Sequence, residues 1–232
     1  MKIIADLHIH SKYSRACSQQ LDLPHLEYWA KLKGIQVIGT GDFTHPEWFK
    51  QISESLVPAT LNGSAAPGLY RLRPELILEE SKKWTRKGSS ATDSPSSASA
   101  MSGLSNPSDP FFLLTSEISC IYSKGGKVRR VHMLVFAPSL ATVAEINRQL
   151  EEIGNIHSDG RPILGLGAKE LAALVFKIDP SCLVIPAHAW TPWFAVFGSK
   201  SGFDSLEECF DELTPFIYAI ETGLSSDPLM NW

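Results

Sequence analysis

Cysteine is scarce and scattered: Cys17, Cys120, Cys182 and Cys209 stand far apart in 232 residues, with no CxxC pair. There is thus no Cys-rich zinc motif and no disulfide framework, in a chain long enough to build a core without staples, so a reducing, cytoplasmic compartment is expected. No apolar run reaches membrane-spanning length, and the start MKII is broken by Asp6, His8 and His10 before the core of a secretory signal can form. Neither a signal peptide nor a membrane span is expected. Basic charge is not in excess either: 21 Lys and Arg against 25 Asp and Glu leave a net charge of −4 and a pI near 6.0. Bulk electrostatics thus give no support for a nucleic-acid partner, which would have to be met by local basic patches. What is present, 44% hydrophobic and 20% charged residues, suffices for one globular domain over residues 1–232, or most of one.

Hydrophobic periodicity divides the chain into alternating elements. Residues 2–9 read as a short buried strand, and LPHLEYWAKLKG (23–34) as an amphipathic helix closed by Gly34. The pattern recurs as a strand at 36–40 with a helix from near Pro46, then strands at 111–119 and 128–136 with a helix at 140–154. A helix at 168–178, a strand at 182–188, a helix at 205–213 and a strand at 216–221 complete it. Such alternation predicts a parallel α/β sheet or barrel. Gly125-Gly126 within YSKGGKV is a hairpin signal, so the strands around Glu117 and His132 are expected to be locally antiparallel. PELILEESKKWTRK (74–87) reads as a helix with Pro74 in its first turn. The stretch 88–110, GSSATDSPSSASAMSGLSNPSDP, reads as a flexible surface insertion dispensable for folding. Its apolar surface is too small to offset an ordering cost of ~1–2 kcal/mol per residue.

Nearly every predicted strand ends in a metal-ligand residue type. The first gives Asp6, His8 and His10 on one face, because side chains alternate with period two. The second gives Asp42 and, after a short turn, His45; Glu117, His132, His188 and Glu221 follow from later strands. Parallel strands present their C-terminal ends at one rim, where these groups can converge. Singly, each has an ordinary explanation: Glu117 as a solvated edge carboxylate, or His188 as a hydrogen-bonded core histidine. Jointly, imidazoles and carboxylates closing apolar strands are costly to bury without partners, and a bound cation removes the conflict. A mixed imidazole and carboxylate set suits Zn²⁺, Mn²⁺ or Fe²⁺ better than Ca²⁺. A carboxylate such as Glu117 can bridge two ions ~3.5–4 Å apart, which points to metal-assisted phosphoester hydrolysis.

DLHIHS at 6–11 resembles the opening motif of the PHP (polymerase and histidinol phosphatase) superfamily. GTGDFTHPEW (39–48), SEISCIYSKGGKVRRVHMLVFAPS (116–139), NIHSDGRPILGLGAKEL (155–171), PAHAWTPWFAVFGSKSGFDSLEECF (186–210) and AIETGLSSDP (219–228) resemble the PHP domain of the endonuclease Q family over almost the whole chain outside 88–110. The resemblance implies a distorted seven-stranded β/α (TIM-like) barrel with two or three divalent metals, zinc first, with manganese, iron or magnesium as alternatives. It also implies nicking of DNA 5′ of deaminated bases (uracil, hypoxanthine, xanthine) or of abasic sites. By the same resemblance His8, His10, Glu117, His132 and His188 are metal ligands, and Asp42 is the aspartate of the second motif. Phe43 stands where many members have histidine, so His45 is assigned that role; Glu221 lines the site. The superfamily closes its site with a last strand bearing Asp-x-His, expected shortly after ETGLSSDP and not found by Trp232. The 232 residues are therefore expected to lack that strand, to be weakly active or inactive alone, and to self-associate through an open barrel edge.

Trp190, Trp193, Phe194 and Phe197 follow the ligand histidine closely, and Lys200 follows them. Two readings stand: a platform that stacks a base while lysine meets a phosphate, or a hydrophobic lid on the barrel rim. Arg129 and Arg130, in the run from Lys124 to Arg130, read either as phosphate contacts or as a solvated hairpin. Two rivals to the endonuclease reading are a PHP phosphoesterase acting on a small phosphorylated metabolite, consistent with the acidic pI, and a catalytically silent metal-binding module.

Overall fold

The computed structural model describes residues 2–61, 63–82 and 109–223. Most of the stretch read as a flexible insertion, 88–108, and the segment 224–232 lie outside the described residues. The chain folds into a mixed α/β structure around one eight-stranded sheet. β1 (Ala5–Asp6), β2 (Val37–Gly39) and the start of β5 (Phe111–Lys124) run parallel. β5 then turns through Gly125-Gly126, both in the left-handed region (φ 63° and 72°), into antiparallel β6 (Lys127–Ala137). Two consecutive positive φ values are what a tight hairpin requires, and glycine adopts them without strain. β6 pairs antiparallel with β8 (Leu183–Pro186), and the two-residue β7 (Ile163–Leu164) runs parallel to β5.

Helices follow the expected signals. α1 (Leu23–Lys33) starts at Asp22, whose carboxylate accepts from the His25 backbone N–H at 3.0 Å, and stops at Gly34 in the left-handed region. α2 (Pro46–Ser55), α3 (Leu140–Ile153), α4 (Ala168–Ile178) and the short α5 (Leu206–Phe210) follow. Ser139 and Ser205 cap α3 and α5 in the same way as Asp22 caps α1.

Four readings of the sequence are corrected. The hairpin β3 (Leu56–Leu61) and β4 (Ser64–Leu72) was not foreseen, because Pro58 and Pro67 interrupt the alternation; β3 closes one end of the sheet path, where proline is tolerated. The helix expected at 74–87 is a 3₁₀ turn over Pro74–Leu76 followed by helical residues 79–82, with the remainder outside the described residues. The strand expected at 216–221 is not regular. Asp211–Phe216 forms a 3₁₀ turn containing Pro215, and the chain then joins β8 through Glu221 alone, which donates to the Pro186 carbonyl and accepts from the Ala189 N–H. Finally, the described sheet has eight strands where seven were expected, and besides the expected antiparallel β5–β6 hairpin it holds the antiparallel pairs β3–β4, β4–β5 and β6–β8.

The wall β1–β2–β5–β6–β8 curls into a half-barrel. In a flat sheet the outer members of a five-strand path would lie roughly 19 Å apart at ~4.8 Å per step. Yet the rings of His8, just beyond β1, and His188, just beyond β8, are stacked with centroids 6.0 Å apart. Alternation along the hairpin separates its faces. Ile118, Cys120, Val131, Met133 and Val135 are wholly buried in the core shared with Val143, Ile146 and Leu150 of α3 and Leu171 and Val175 of α4. Glu117 pairs with Leu134 and Ser119 with His132, so Glu117 and His132 point to the opposite, concave side. These two ligand-type residues lie mid-strand, not at strand ends as expected. Among the described residues no helix is long and apolar enough to cross a membrane, and all four cysteines are free.

Candidate metal centre

The concave side gathers five side chains around one carboxylate. Glu117, with its side chain 1% exposed, faces His132 Nδ1 at 2.8 Å, His188 Nε2 at 3.1 Å and His8 Nε2 at 3.5 Å through Oε1. Its Oε2 faces His10 Nε2 at 3.3 Å and the Arg161 guanidinium at 3.1 Å. Two ligand groups result, His8–His10–Glu117 and Glu117–His132–His188, with Glu117 common to both. His8 and His10 reach it because residues two apart on an extended segment share a side.

A second layer fixes which nitrogen of His8, His10 and His188 points inward. His8 Nδ1 bonds Glu221 at 2.9 Å, and His10 Nδ1 bonds Asp42 at 2.9 Å. His188 Nδ1 meets Thr191 Oγ1 at 3.1 Å. A neutral imidazole that donates from Nδ1 carries a lone pair on Nε2. The two outer carboxylates therefore aim the Nε2 lone pairs of His8 and His10 at the oxygens of Glu117. Acceptors facing acceptors in a buried site are stable only with something positive between them, either protons or a cation.

The pKa pattern of the protein without cations follows from this. Burial alone would lower both rings, but bonds to Glu117 and Glu221 outweigh it for His8 and hold it up at about 9. Asp42 and Glu117 do the same for His10, also about 9. Glu117 would be raised by burial, and the imidazoles of His10, His132, His188 and His8 instead hold it far below the carboxylate range. His132 goes the other way: its burial outweighs the bond to Glu117, leaving it below the ordinary imidazole value. Protons on His8 and His10 occupy the position that a divalent ion would take. The donor set thus fits a divalent cation in each group.

Asp42 is wholly buried and accepts from His10 Nδ1, the Ser11 N–H (2.6 Å), Ser11 Oγ (2.8 Å) and Ser14 Oγ (2.8 Å). Oδ1 meets His10 while Oδ2 is held by Ser11 and Ser14, so the carboxylate is fixed in place to orient His10. Its backbone sits at φ 49°, beside Gly41 at φ 62°, whose hypothetical Cβ would lie 2.5 Å from the Ile9 carbonyl oxygen. His188 (φ 31°) and Phe194 (φ 60°) are also left-handed. Three such non-glycine residues around one site are local strain held in place by the surrounding structure. Glu221 likewise orients: besides His8 it accepts the His188 backbone N–H at 2.7 Å.

His45 is not among the side chains gathered around Glu117. Its ring stacks on Tyr13 at 4.3 Å, its Nδ1 is buried without a hydrogen bond, and burial lowers its pKa. The candidate substrate residues separate in the same way. Arg129 is buried, bonded to Glu208 and the Gly202 carbonyl and lying over the Phe203 ring, so it holds the 201–208 loop to the hairpin and is not free for a phosphate. Trp190 is stacked on Phe197 at 4.7 Å with its Nε1 buried. Trp193 is 49% exposed, with the Arg130 guanidinium 5.6 Å from its ring, and Lys200 is exposed beside them in one groove. Arg130 lies two residues from His132 and so on the same side of β6. Phe194 packs on the His132 ring at 4.6 Å, and its carbonyl accepts the His132 N–H. Sequence reasoning missed Arg161, Ser11 and Ser14; their only signal was membership of the matched segments 6–11 and 155–171 or proximity to them.

No family model matches the chain. Over 188 residues it is 28% identical to the uncharacterized protein MJ0043 of Methanocaldococcus jannaschii, spanning 81% of this chain and 16% of that protein. The fold matches the lesion-specific endonuclease PfuEndoQ of Pyrococcus furiosus with a TM-score of 0.69 and 29% identity, over 99% of this chain and 44% of that one. It also matches endonuclease Q in complex with a 27-mer duplex substrate carrying an abasic lesion at the active site, with a TM-score of 0.67 and 30% identity, over 96% and 43% of the two chains. Fold and comparisons thus place the chain beside the endonuclease Q structures in architecture. More particularly, the chain has an endonuclease Q-like fold and spans less than half the length of the relatives it matches.

Proposed function

We propose that this chain is the PHP domain of a metal-dependent endonuclease of the endonuclease Q type, which nicks DNA 5′ of deaminated bases or abasic sites. One observation carries the reading: two ligand groups share Glu117, with outer carboxylates fixing the histidine tautomers, in a fold matched by an endonuclease holding an abasic lesion at its active site. His8, His10 and Glu117 would hold one divalent ion, and Glu117, His132 and His188 another. The chemistry such ions supply is activation of a water and stabilisation of charge on the departing oxygen. Asp42 and Glu221 hold His10 and His8 in the required tautomer. Phe194 covers the His132 ring and keeps water from it. The exposed Trp193, backed by Arg130 on the His132 side of β6, offers a nucleobase a stacking surface beside the ligands. Lys200 borders the same groove and suits a phosphate. Free cysteines and an acidic pI are consistent with a cytoplasmic repair enzyme whose DNA contacts are local.

The test is to incubate the metal-loaded chain with duplexes containing an abasic site, uracil or no lesion, and separately with a generic phosphomonoester. A strand break only 5′ of the lesion is the expected product, slow from the 232 residues alone and faster from a chain extended through the expected Asp-x-His segment. Phosphate release from the monoester without DNA cleavage would replace this reading with a small-molecule phosphoesterase, and neither product would indicate a metal-binding module.

A further inference from the structure

Arg161 touches the shared carboxylate with a permanent positive charge, and the ligand groups do not account for it. Its Nη1 donates to Glu117 Oε2 at 3.1 Å, while the side chain remains 38% exposed at the mouth of the site. Among the described residues Glu117 is the acceptor of this guanidinium, which leaves further N–H groups directed away from the carboxylate.

The residue is held firmly at its base. Its backbone N–H bonds Asp159 Oδ1 at 3.0 Å, the Gly160 N–H bonds the Tyr13 carbonyl at 3.0 Å, and Thr44 Oγ1 donates to the Gly160 carbonyl at 3.2 Å. Gly160 is pressed so closely onto the orienting carboxylate that a Cβ there would overlap Asp42 Oδ2 and lie 2.5 Å from Ser14 Oγ. On the other side the Pro162 carbonyl accepts the Ser119 N–H at 2.9 Å, tying the loop to β5. The anchor of Arg161 is thus built into the same contacts that orient His10, while its tip is open to solvent.

A guanidinium beside a carboxylate that two cations would share is redundant as a neutralising charge. With cations in place Glu117 is already compensated, and the like charges disfavour the arginine there unless an anion completes the site. A phosphate group is such an anion, and arginine's planar fork matches its oxygens.

We infer that Arg161 grips the phosphate of the substrate: its guanidinium leaves Glu117 to the cations and donates to a non-bridging phosphate oxygen. This rests on the phosphoester reading above. It predicts that Arg161 contributes to phosphate binding and not to metal binding.

The test uses the full chain, wild type, R161Q and R161K, each loaded with Mn²⁺, with metal content, melting temperature and inorganic phosphate binding measured by elemental analysis, thermal melts and calorimetry. The expected result is equal metal content in all three, phosphate affinity at least ~10-fold lower in R161Q, and partial recovery in R161K. On lesion-bearing duplex, the slope of log affinity against log salt should flatten by about 0.9 in R161Q, the change that follows from neutralising one phosphate fewer. Wild type that binds no phosphate, unchanged phosphate affinity and salt slope in R161Q, or loss of metal in R161Q would each overturn the inference, the last by making Arg161 a positioning residue for Glu117. If phosphate binding depends on Arg161 but damaged DNA is not nicked, the endonuclease reading fails and the inference stands. If wild type nicks and R161Q matches it throughout, the inference alone fails.

Discussion

Two imidazoles of the centre are each held in one tautomer by an outer carboxylate. Asp42 does this for His10 and Glu221 for His8. Asp42→Asn keeps the shape and weakens the acceptor, so divalent-ion affinity should fall about 10–100-fold with little change in fold. Metal titration of D42N against wild type checks this, and unchanged affinity would show that Asp42 has no part in orienting His10 for a cation. The raised His8 and His10 also set a pH dependence for the chain stripped of metal. Both sit at about 9 in the folded state against an ordinary 6.5, so their pairing with Glu117, Glu221 and Asp42 stabilises fully below 6.5. That contribution is lost as pH rises from 6.5 through 9. His132, held below the ordinary value of 6.5, acts in the opposite sense on the acid side. Melts in chelator should therefore show the melting temperature falling between pH 6.5 and 9. Metal affinity should rise over the same interval, because ions displace those protons. Chemistry alone marked a wider set, Asp6, His8, His10, Asp42, His45, Glu117, His132, His188 and Glu221, since His and carboxylates closing apolar segments need a reason; the resemblance narrowed it to the five side chains that meet at Glu117. Arg161 was in neither set, because an arginine in a glycine-containing loop has an ordinary solvated explanation. That the His45 ring lies on Tyr13 is something no spacing rule reveals.

At the level of elements, the β5–β6 hairpin does most of the positioning. Its register puts Glu117 and His132 on one side, while Ile118 and Met133, directly paired, fill the core on the other. Ile118→Ala should cost ~2–5 kcal/mol of stability, read by urea unfolding, because the site is wholly buried and a cavity results. A cost under ~1 kcal/mol would mean that the hairpin is not a rigid element. This hairpin was readable from Gly125-Gly126 between two apolar runs. The β3–β4 hairpin was not, since Pro58 and Pro67 obscure its alternation, and the expected strand at 216–221 was lost to the turn around Pro215. The positive φ of Asp42, His188 and Phe194 has no sequence signature in non-glycine residues, so the sharp turns that aim the ligands were invisible in advance.

Over the whole molecule, the half-barrel brings residues from both ends of the chain, His8 and Glu221, into one hydrogen bond. A buried clasp secures α1 to the segments flanking residues 83–108. Lys31, 4% exposed, pairs with Glu27 at 2.5 Å and Asp109 at 2.6 Å, and Ser81 donates to Glu27 at 2.6 Å. Lys31→Met would leave two carboxylates facing each other and should destabilise by ~3–5 kcal/mol, measured by denaturant titration. The site as a whole stands or falls on whether one carboxylate joins two cation sites. Metal content per chain decides it, measured on wild type, on the pair variants His8→Ala with His10→Ala and His132→Ala with His188→Ala, and on Glu117→Ala. Two ions are expected in wild type, one in each pair variant and none in E117A; retention of both ions by E117A would contradict a shared carboxylate.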